Sequence, residues 1–418
     1  MSDAAIAAAL RAARPEALAR VTRVCGNLEE AEEVVQAACL KAIEAWRGGQ
    51  LPDVPSAWLF TAARNALFDQ WRHRRTVSDI RERGLLDNVD VEVSELNPVE
   101  ADFASDDLLR LLFTCCHPSL PESVQLVLTA RAVAGLSRDE LARALLISPR
   151  AAEQRYTRAK RQVSDLGLPY EVPSDAELPD RLAVVQRVVY LLFNEGYKAS
   201  AGIQVARMDL VQQAVGLGRT LVRLFPSEPE VIGLLALMVL QSSRMAAREA
   251  ENRVILLEEQ DRDLWDRDLG IEGCALVEKA LRLGKPGTYQ IQAAIAAVHF
   301  EACDFLSTDW RQIEVLYEIL ETIDQSPVVT INRAVAALYA RGSAAAIPIL
   351  ESLQADKQLQ GYPEFYAARA EILLHAGDRE GALTALEQAH SLSDHEPTKE
   401  HLRKRVQVLR ENTMEASS

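Results

Sequence analysis

The chain has 418 residues, of which 48% are hydrophobic, and its formal net charge at pH 7 is −15. This length accommodates roughly two to four domains, and no uninterrupted apolar run approaches the roughly 20 residues that a membrane span requires. The acidic balance argues against a general nucleic-acid coat. The six cysteines form no disulfide framework, which favours a reducing cytoplasm.

Apolar residues recur at three- and four-residue intervals along almost the whole chain, without a convincing alternating β-branched run. This pattern predicts an all-α protein. Residues 1–77 read as a short helix followed by three longer ones, the first of which opens at Pro15 and ends at Gly26. We expect these residues to form the first compact domain.

A strongly acidic stretch follows the first domain. Residues 78–107 hold ten acidic residues and only two arginines. Because this stretch lacks helical periodicity and repels itself, the sequence predicts a linker over 78–104.

The segment FTCCHPSLP, residues 113–121, places Cys115, Cys116 and His117 side by side. Adjacent side chains leave a helix about 100° apart, so one metal ion could not easily take both thiols together with the histidine. We therefore expect buried thiols that pack beneath the next helix. A thiol- or metal-responsive site is the alternative interpretation.

Residues 105–168 contain a short helix, a tight turn and a second helix. Ser137 and Glu140 have capping-box spacing, and Ser148 and Pro149 open the second helix. Its inner face should carry Ala152, Tyr156, Ala159 and Val163. Its outer face should carry Arg150, Ala151, Gln154, Arg155, Arg158 and Arg161. This pattern indicates a helix-turn-helix, with a helical hairpin that has a solvated basic face as the alternative.

Residues 178–418 contain weak internal repeats in which a helix ends, a proline follows and an alanine-rich helix begins. The last prolines and glycines of these units recur at about 34 residues. A period of this length, with small residues where helices cross, predicts tetratricopeptide-like helical hairpins.

No pattern of a catalytic site accompanies these helices. The chain has no phosphate-binding Gly-x-x-x-x-Gly-Lys loop, no Gly-x-Ser-x-Gly elbow and no His-x-x-x-His spacing. We therefore expect a protein that is not an enzyme, with no catalytic residue, no cofactor and no bound metal.

Two helical segments of the first domain and the helix-turn-helix resemble known motifs in a fixed order. EEAEEVVQAACLKA, AWLFTAARNALFDQWRHRR and DELARALLISPRAAEQRYTRAKRQV are similar to segments of the extracytoplasmic-function (group 4) RNA polymerase sigma factors. The resemblance implies that 1–77 is sigma region 2 and that 105–168 is sigma region 4.

The resemblance also implies roles for individual residues. The polymerase-binding residues would be Glu30, Glu32, Glu33, Val34, Val35 and Gln36. The residues that hold the −10 strand would be Arg64, Asn65, Asp69, Arg72, Arg74 and Arg75. On the −35 helix, the first four outer-face residues would meet base edges, and Arg158 and Arg161 would lie nearer phosphate.

The third part resembles the subgroup of these sigma factors that carries a long tetratricopeptide-type extension, through segments such as LFNEGY, LEEQDRDLWD and SPVVTINRAVA. The implied partners are the clamp helices and flap of core RNA polymerase, promoter DNA, and the chain's own sigma domains as a target of the extension. No membrane partner is expected. The main rival hypothesis is a helical-repeat adaptor whose first helices only resemble a sigma factor.

Overall fold

A computed structural model describes residues 3–47, 49–74, 99–145, 147–198, 208–250, 253–354, 356–393 and 396–416. The chain divides into two compact units, Met1–Leu192 and Phe193–Ser418. Within the described ranges the units contain eighteen α-helices and one short β-ladder. The predicted all-α fold is confirmed. In these ranges no helix is both long and apolar enough to cross a membrane.

The first unit begins with three helices that pack against one another, and a fourth that packs on the first. The helices that lie in this unit, or begin in it, are α1 (Asp3–Cys25), α2 (Leu28–Arg47), α3 (Pro55–Arg74), α4 (Val99–Cys115), α5 (Glu122–Leu128), α6 (Arg138–Ala144), α7 (Pro149–Asp165) and α8 (Leu178–Lys198). A π-helical turn, Thr129–Val133, extends α5. The core of α1–α3 contains Leu18, Val35, Leu59 and Leu67, all fully buried.

The first helix corrects one prediction, since α1 runs through Pro15 instead of starting there. Proline has no N–H to donate, so the carbonyl of Arg11 loses its usual helical partner. Gly135, at φ 73°, lies beside that carbonyl. A Cβ on Gly135 would be 3.3 Å from the Arg11 oxygen and 3.6 Å from Cγ of Pro15. The chain at Gly135 therefore packs closely on α1 at the turn that contains the proline.

The end of the predicted linker overlaps a helix. Most of 78–104 lies outside the described residues, but α4 begins at Val99. The bounds of the linker stay a prediction.

The helix-turn-helix has the local structure that its capping residues predict. The Glu140 N–H donates to Oγ of Ser137 at 3.2 Å, and the Ser137 N–H donates to Oε2 of Glu140 at 2.6 Å, which completes the capping box. Ser148 accepts from the Ala151 N–H and caps α7. Ala152, Tyr156, Ala159 and Val163 form the buried face of α7, as predicted.

The second unit is a succession of helices that pack mainly on their neighbours in sequence. These helices are α9 (Met208–Leu224), α10 (Pro229–Ser243), α11 (Arg267–Arg282), α12 (Thr288–Glu301), α13 (Trp310–Ile323), α14 (Pro327–Arg341), α15 (Ser343–Glu351), α16 (Pro363–His375), α17 (Arg379–Leu392) and α18 (Glu396–Ala416). Between α10 and α11 the chain forms short 3₁₀ turns and a two-residue antiparallel ladder, Glu249–Ala250 with Arg253–Val254. The tetratricopeptide spacing itself stays a prediction.

Helix α10 is the centre of the second unit. Nearly all its residues are buried, and it packs on α9, α11 and α12. Its Glu230 also reaches the start of α12, where its carboxylate accepts from the backbone N–H groups of Tyr289 and Gln290 at 2.9 and 3.0 Å. Gly287 precedes α12 and has no side chain that could cap it. The carboxylate of Glu230, from a neighbouring helix, therefore caps the N-terminus of α12 in place of a local side chain.

Candidate nucleic-acid and partner interface

The outer face of α7 is a basic surface open to solvent. Of its six predicted residues Arg150, Gln154, Arg155, Arg158 and Arg161 are exposed, and Ala151 is half-buried. Within the described residues none of the four arginines forms an ion pair. Their guanidinium groups can therefore bind an external anion without first breaking a contact.

The inner face of α7 fixes how the basic face is presented. The guanidinium of Arg131 lies 5.4 Å from the centre of the buried Tyr156 ring, and its Nη1 donates to the backbone oxygen of Leu136 at 2.6 Å. Burial raises the pKa of Tyr156 well above its ordinary value, so its phenol stays neutral. Through these contacts, Arg131 and Tyr156 connect the turn before α6 to the recognition helix α7.

The predicted −10 residues lie along α3. Asn65 and Asp69 are exposed, and Asp69 pairs with Arg72 at 3.1 Å. Arg64 is half-buried, with its guanidinium 5.8 Å from the centre of the Phe60 ring. These positions form a polar strip with one cation held against an aromatic ring. Arg74 belongs to the last turn of α3, its side chain lies outside the described structure, and so does the whole of Arg75.

The predicted polymerase-binding residues of α2 separate into three groups. Glu33 and Gln36 are exposed. Glu30 is half-buried and accepts from the indole N–H of Trp71 on α3 at 3.0 Å. Val34 and Val35 are completely buried, so in this conformation they shape the helix from inside.

Glu32 lies inside the unit, which the sequence reasoning did not foresee. It is 6% exposed. Its Oε1 accepts from Arg14 of α1 at 2.6 Å, and its Oε2 accepts from Nζ of Lys160 on α7 at 2.7 Å. One carboxylate thus connects the predicted polymerase-binding helix to the predicted recognition helix.

Two further contacts join α1 to residues that follow α5. Arg11 pairs with Glu140 at 2.8 Å, and the hydroxyl of Tyr170 donates to the Ala19 oxygen at 2.7 Å. An open cavity of about 480 Å³ lies beside the ion pair, lined by Glu32, Glu33, Gln36, Arg131, Ser137, Arg138, Asp139, Glu153 and Lys160. The first unit therefore has a packed arrangement in which α7 rests against α2.

The two adjacent cysteines, Cys115 and Cys116, belong to the packed interior of the first unit. Cys115 and Cys116 are both completely buried, as the sequence predicted. Sγ of Cys116 is 3.3 Å from Oγ1 of Thr129. Burial raises the pKa of Cys116 to about 12 and that of Cys115 well above its ordinary value, so neither thiol is a ready thiolate. In the part of the chain that the structure describes, no three His, Cys, Asp or Glu side chains could hold a metal ion together.

The first unit contains two small helical domains, and one of them is a helix-turn-helix with an exposed arginine face. This arrangement is typical of DNA-binding regulators. Comparison with known families agrees. Residues 10–77 match Sigma-70 region 2, residues 110–163 match Sigma-70 region 4, and residues 181–281 match a family of unknown function, DUF6596. The chain belongs to the sigma-70 family, as an extracytoplasmic-function sigma factor with a C-terminal extension. Sigma domains of this kind serve promoter recognition.

A relative of nearly the same length matches almost the whole chain. The chain is 42% identical over 403 residues to "Uncharacterized protein R00370" of Rhizobium meliloti (strain 1021), which covers 96% of this chain and 95% of that protein. No solved structure matches the chain.

Proposed function

We propose that this protein binds core RNA polymerase, recognises −35 and −10 promoter elements, and directs transcription initiation under the control of its helical extension. The observation that carries the proposal is the exposed arginine face of α7 in a domain that matches Sigma-70 region 4. The same chain supplies a region 2 domain with an exposed polar strip on α3. We expect it to act in the cytoplasm and to have no enzymatic activity.

The two DNA contacts follow from the positions of the side chains. Arg150, Ala151, Gln154 and Arg155 lie in the first turns of α7, from which a recognition helix meets base edges in the major groove. Arg158 and Arg161 lie further along and would contact phosphate. On α3, the exposed amide of Asn65 can hydrogen-bond an unstacked base, while the basic end of the helix holds the strand.

Polymerase binding is assigned to the exposed edge of α2. Of the six predicted residues, Glu33 and Gln36 are the two that are exposed in the packed arrangement, and Glu30 accepts a hydrogen bond from Trp71. Because the acidic protein has few basic residues on its DNA-facing surfaces, core polymerase must supply much of the affinity for the promoter.

Replacing Glu33 with lysine should weaken binding to core polymerase about ten-fold or more, since reversing one charge at an electrostatic interface replaces attraction with repulsion. Glu44→Lys is the matched control, because Glu44 is an exposed acid on the same helix. Titration of fluorescently labelled protein with core polymerase measures both. Equal binding by the two variants would remove Glu33 from the interface.

The packed arrangement has a consequence for assembly. Glu32 cannot meet polymerase while Arg14 and Lys160 enclose it, and α7 cannot reach a −35 element at a distance from region 2 while it rests against α2. Polymerase binding therefore competes with the contact between α2 and α7. A ligand that prefers the separated state shifts the population toward it.

Replacing Lys160 with alanine should raise the affinity for core polymerase about five-fold, because one partly buried ionic hydrogen bond worth about 1 kcal/mol no longer favours the packed arrangement. The side chain of Lys160 is 10% exposed, so its loss removes a defined contact. Arg138→Ala is the control, since Arg138 is exposed and, among the described residues, pairs only with its neighbour Asp139. Unchanged or weaker polymerase binding by the Lys160 variant would show that the contact does not compete.

The extension is assigned a regulatory role because the chain devotes a whole compact unit, Phe193–Ser418, to it. Helix α8 begins in the first unit, where Arg181 donates to the backbone oxygen of Phe113 at 2.7 Å. A truncation should therefore end after Lys198 and keep α8 whole. We expect this truncation to change promoter-dependent transcription severalfold in a reconstituted assay. Equal activity of the truncated and intact proteins would remove the regulatory role.

A further inference from the structure

A cavity of about 450 Å³ lies within the second unit, between α10, α12 and the turn that joins α13 to α14. Its walls are about equally apolar and polar, and the apolar part includes Leu237 and Leu240 from α10, Ile295 from α12, and Leu320 and Val329 from α13 and α14. Trp265 and Tyr317 add aromatic surface. The size of the cavity lies within the range of small-molecule sites, which usually measure about 300–1,000 Å³.

Arg244 is a cation among the residues that line this cavity. Nε of Arg244 donates to the phenol oxygen of Tyr197 at 3.2 Å, which holds the guanidinium in place. Within the described residues Arg244 forms no ion pair. A second cation, Arg262, lies with its guanidinium 4.2 Å from the centre of the Trp265 ring and donates to the backbone oxygen of His299. Arg244 thus lines the cavity, whereas Arg262 contacts two of its lining residues, Trp265 and His299.

Three residues that line the cavity leave a buried polar atom without a hydrogen bond. These atoms are Oε1 of Gln241, Nε1 of Trp265 and Nδ1 of His299. Trp265 as a whole is only 6% exposed. Buried polar atoms are rarely left unpaired, and a missing ligand or water is one physical account of such a cluster. Burial, and then the charges of Arg244 and Arg262, lower the pKa of His299 to about 4, so its imidazole is neutral at pH 7.

We propose that this cavity binds a small organic carboxylate, with its anionic head on Arg244 and its apolar body between α10, α12 and α13. One carboxylate, that of Asp324, also lines the cavity and accepts from the Ser326 N–H at 3.0 Å. It disfavours a ligand with several negative charges. A single carboxylate on an aliphatic or aromatic body therefore matches the cavity better than a phosphate ester.

The full-length protein can be tested with three probes of one shape: 4-phenylbutyrate, 4-phenylbutan-1-ol and 4-phenylbutylammonium. Isothermal titration calorimetry should show one molecule of 4-phenylbutyrate bound per chain. The alcohol and the ammonium should bind about ten-fold more weakly or worse, because they lack the charge-assisted hydrogen bond to the guanidinium. This test needs no polymerase, so its result is independent of the sigma-factor function.

Two variants locate the binding. Arg244→Gln should weaken 4-phenylbutyrate about ten-fold, whereas Arg282→Gln should leave it unchanged, since Arg282 is exposed on α11 and pairs with Glu278. Ala296→Leu fills the cavity without changing any charge and should also weaken binding. Circular dichroism checks that each variant is folded. Any of three results would overturn the proposal. These are equal binding of the alcohol, full binding by both Arg244→Gln and Ala296→Leu, or no heat with the carboxylate at millimolar concentration.

Discussion

Replacing Arg155 with alanine is expected to reduce promoter-dependent transcription about ten-fold or more. Arg155 is exposed on the outer face of α7, within the turns that would enter the major groove. A bidentate arginine contact with a base discriminates against other bases by about 1–3 kcal/mol, and 1.4 kcal/mol corresponds to a factor of ten. Because Arg155 forms no ion pair within the described structure, its loss should leave the fold unchanged.

Arg187→Ala is the control for this variant. Arg187 is an exposed arginine of the same unit, but it lies on α8, away from the recognition helix. Reconstituted transcription on a promoter that the intact protein uses measures both variants. If Arg187→Ala lost as much activity as Arg155→Ala, the effect would be one of net charge, and α7 would lose its assigned role.

Replacing Gly233 with alanine is expected to destabilise the second unit by about 2–3 kcal/mol, the cost of forcing an extra methyl into a packed core. Gly233 is buried in α10, where a Cβ would lie 2.7 Å from the backbone nitrogen of Gln290 and 2.9 Å from its Cα. Those atoms belong to the first turn of α12, which Glu230 caps from α10. The backbone of α12 cannot move away without breaking that cap.

Gly216→Ala is the matched control, since Gly216 lies in α9, is exposed and has no atom within 4 Å of the added Cβ. In an exposed helix interior, alanine is more favourable than glycine by about 0.5–1 kcal/mol. Urea unfolding followed by circular dichroism should therefore shift the midpoints of the two variants in opposite directions. A Gly233 variant as stable as the parent would mean that α10 and α12 do not cross so closely.

The recognition helix was predictable because its signals are local. The cap at Ser148, Pro149 at the first position and a buried face at helical spacing all lie within one short segment, and each is found where it was predicted. The burial of Val34 and Val35 was also readable, since Leu28, Ala31, Val35, Ala38 and Ala42 continue one apolar stripe along α2. The resemblance to the family motif predicted instead that these valines contact polymerase.

Other features depend on residues that are distant in sequence. Glu32 meets Lys160 across 128 positions, and Glu230 caps a helix that starts about sixty residues later. Gly135, in another domain, lies close to α1 at Arg11 and Pro15. No periodicity or capping rule connects such pairs, because they come together only when the helices pack. For the same reason, the cavity around Arg244 has no signature in the sequence.

The most direct measurement of the central claim is selection of promoters from a library with random −35 and −10 regions, transcribed by purified core polymerase and the full-length protein. We predict that initiating templates will share two separated sequence elements, and that Arg155→Ala will relax the upstream one. A truncation ending at Lys198 is run in parallel, so that an inhibitory extension is not mistaken for inactivity. If neither form initiates while another sigma factor does so with the same polymerase and template library, the protein is not a sigma factor.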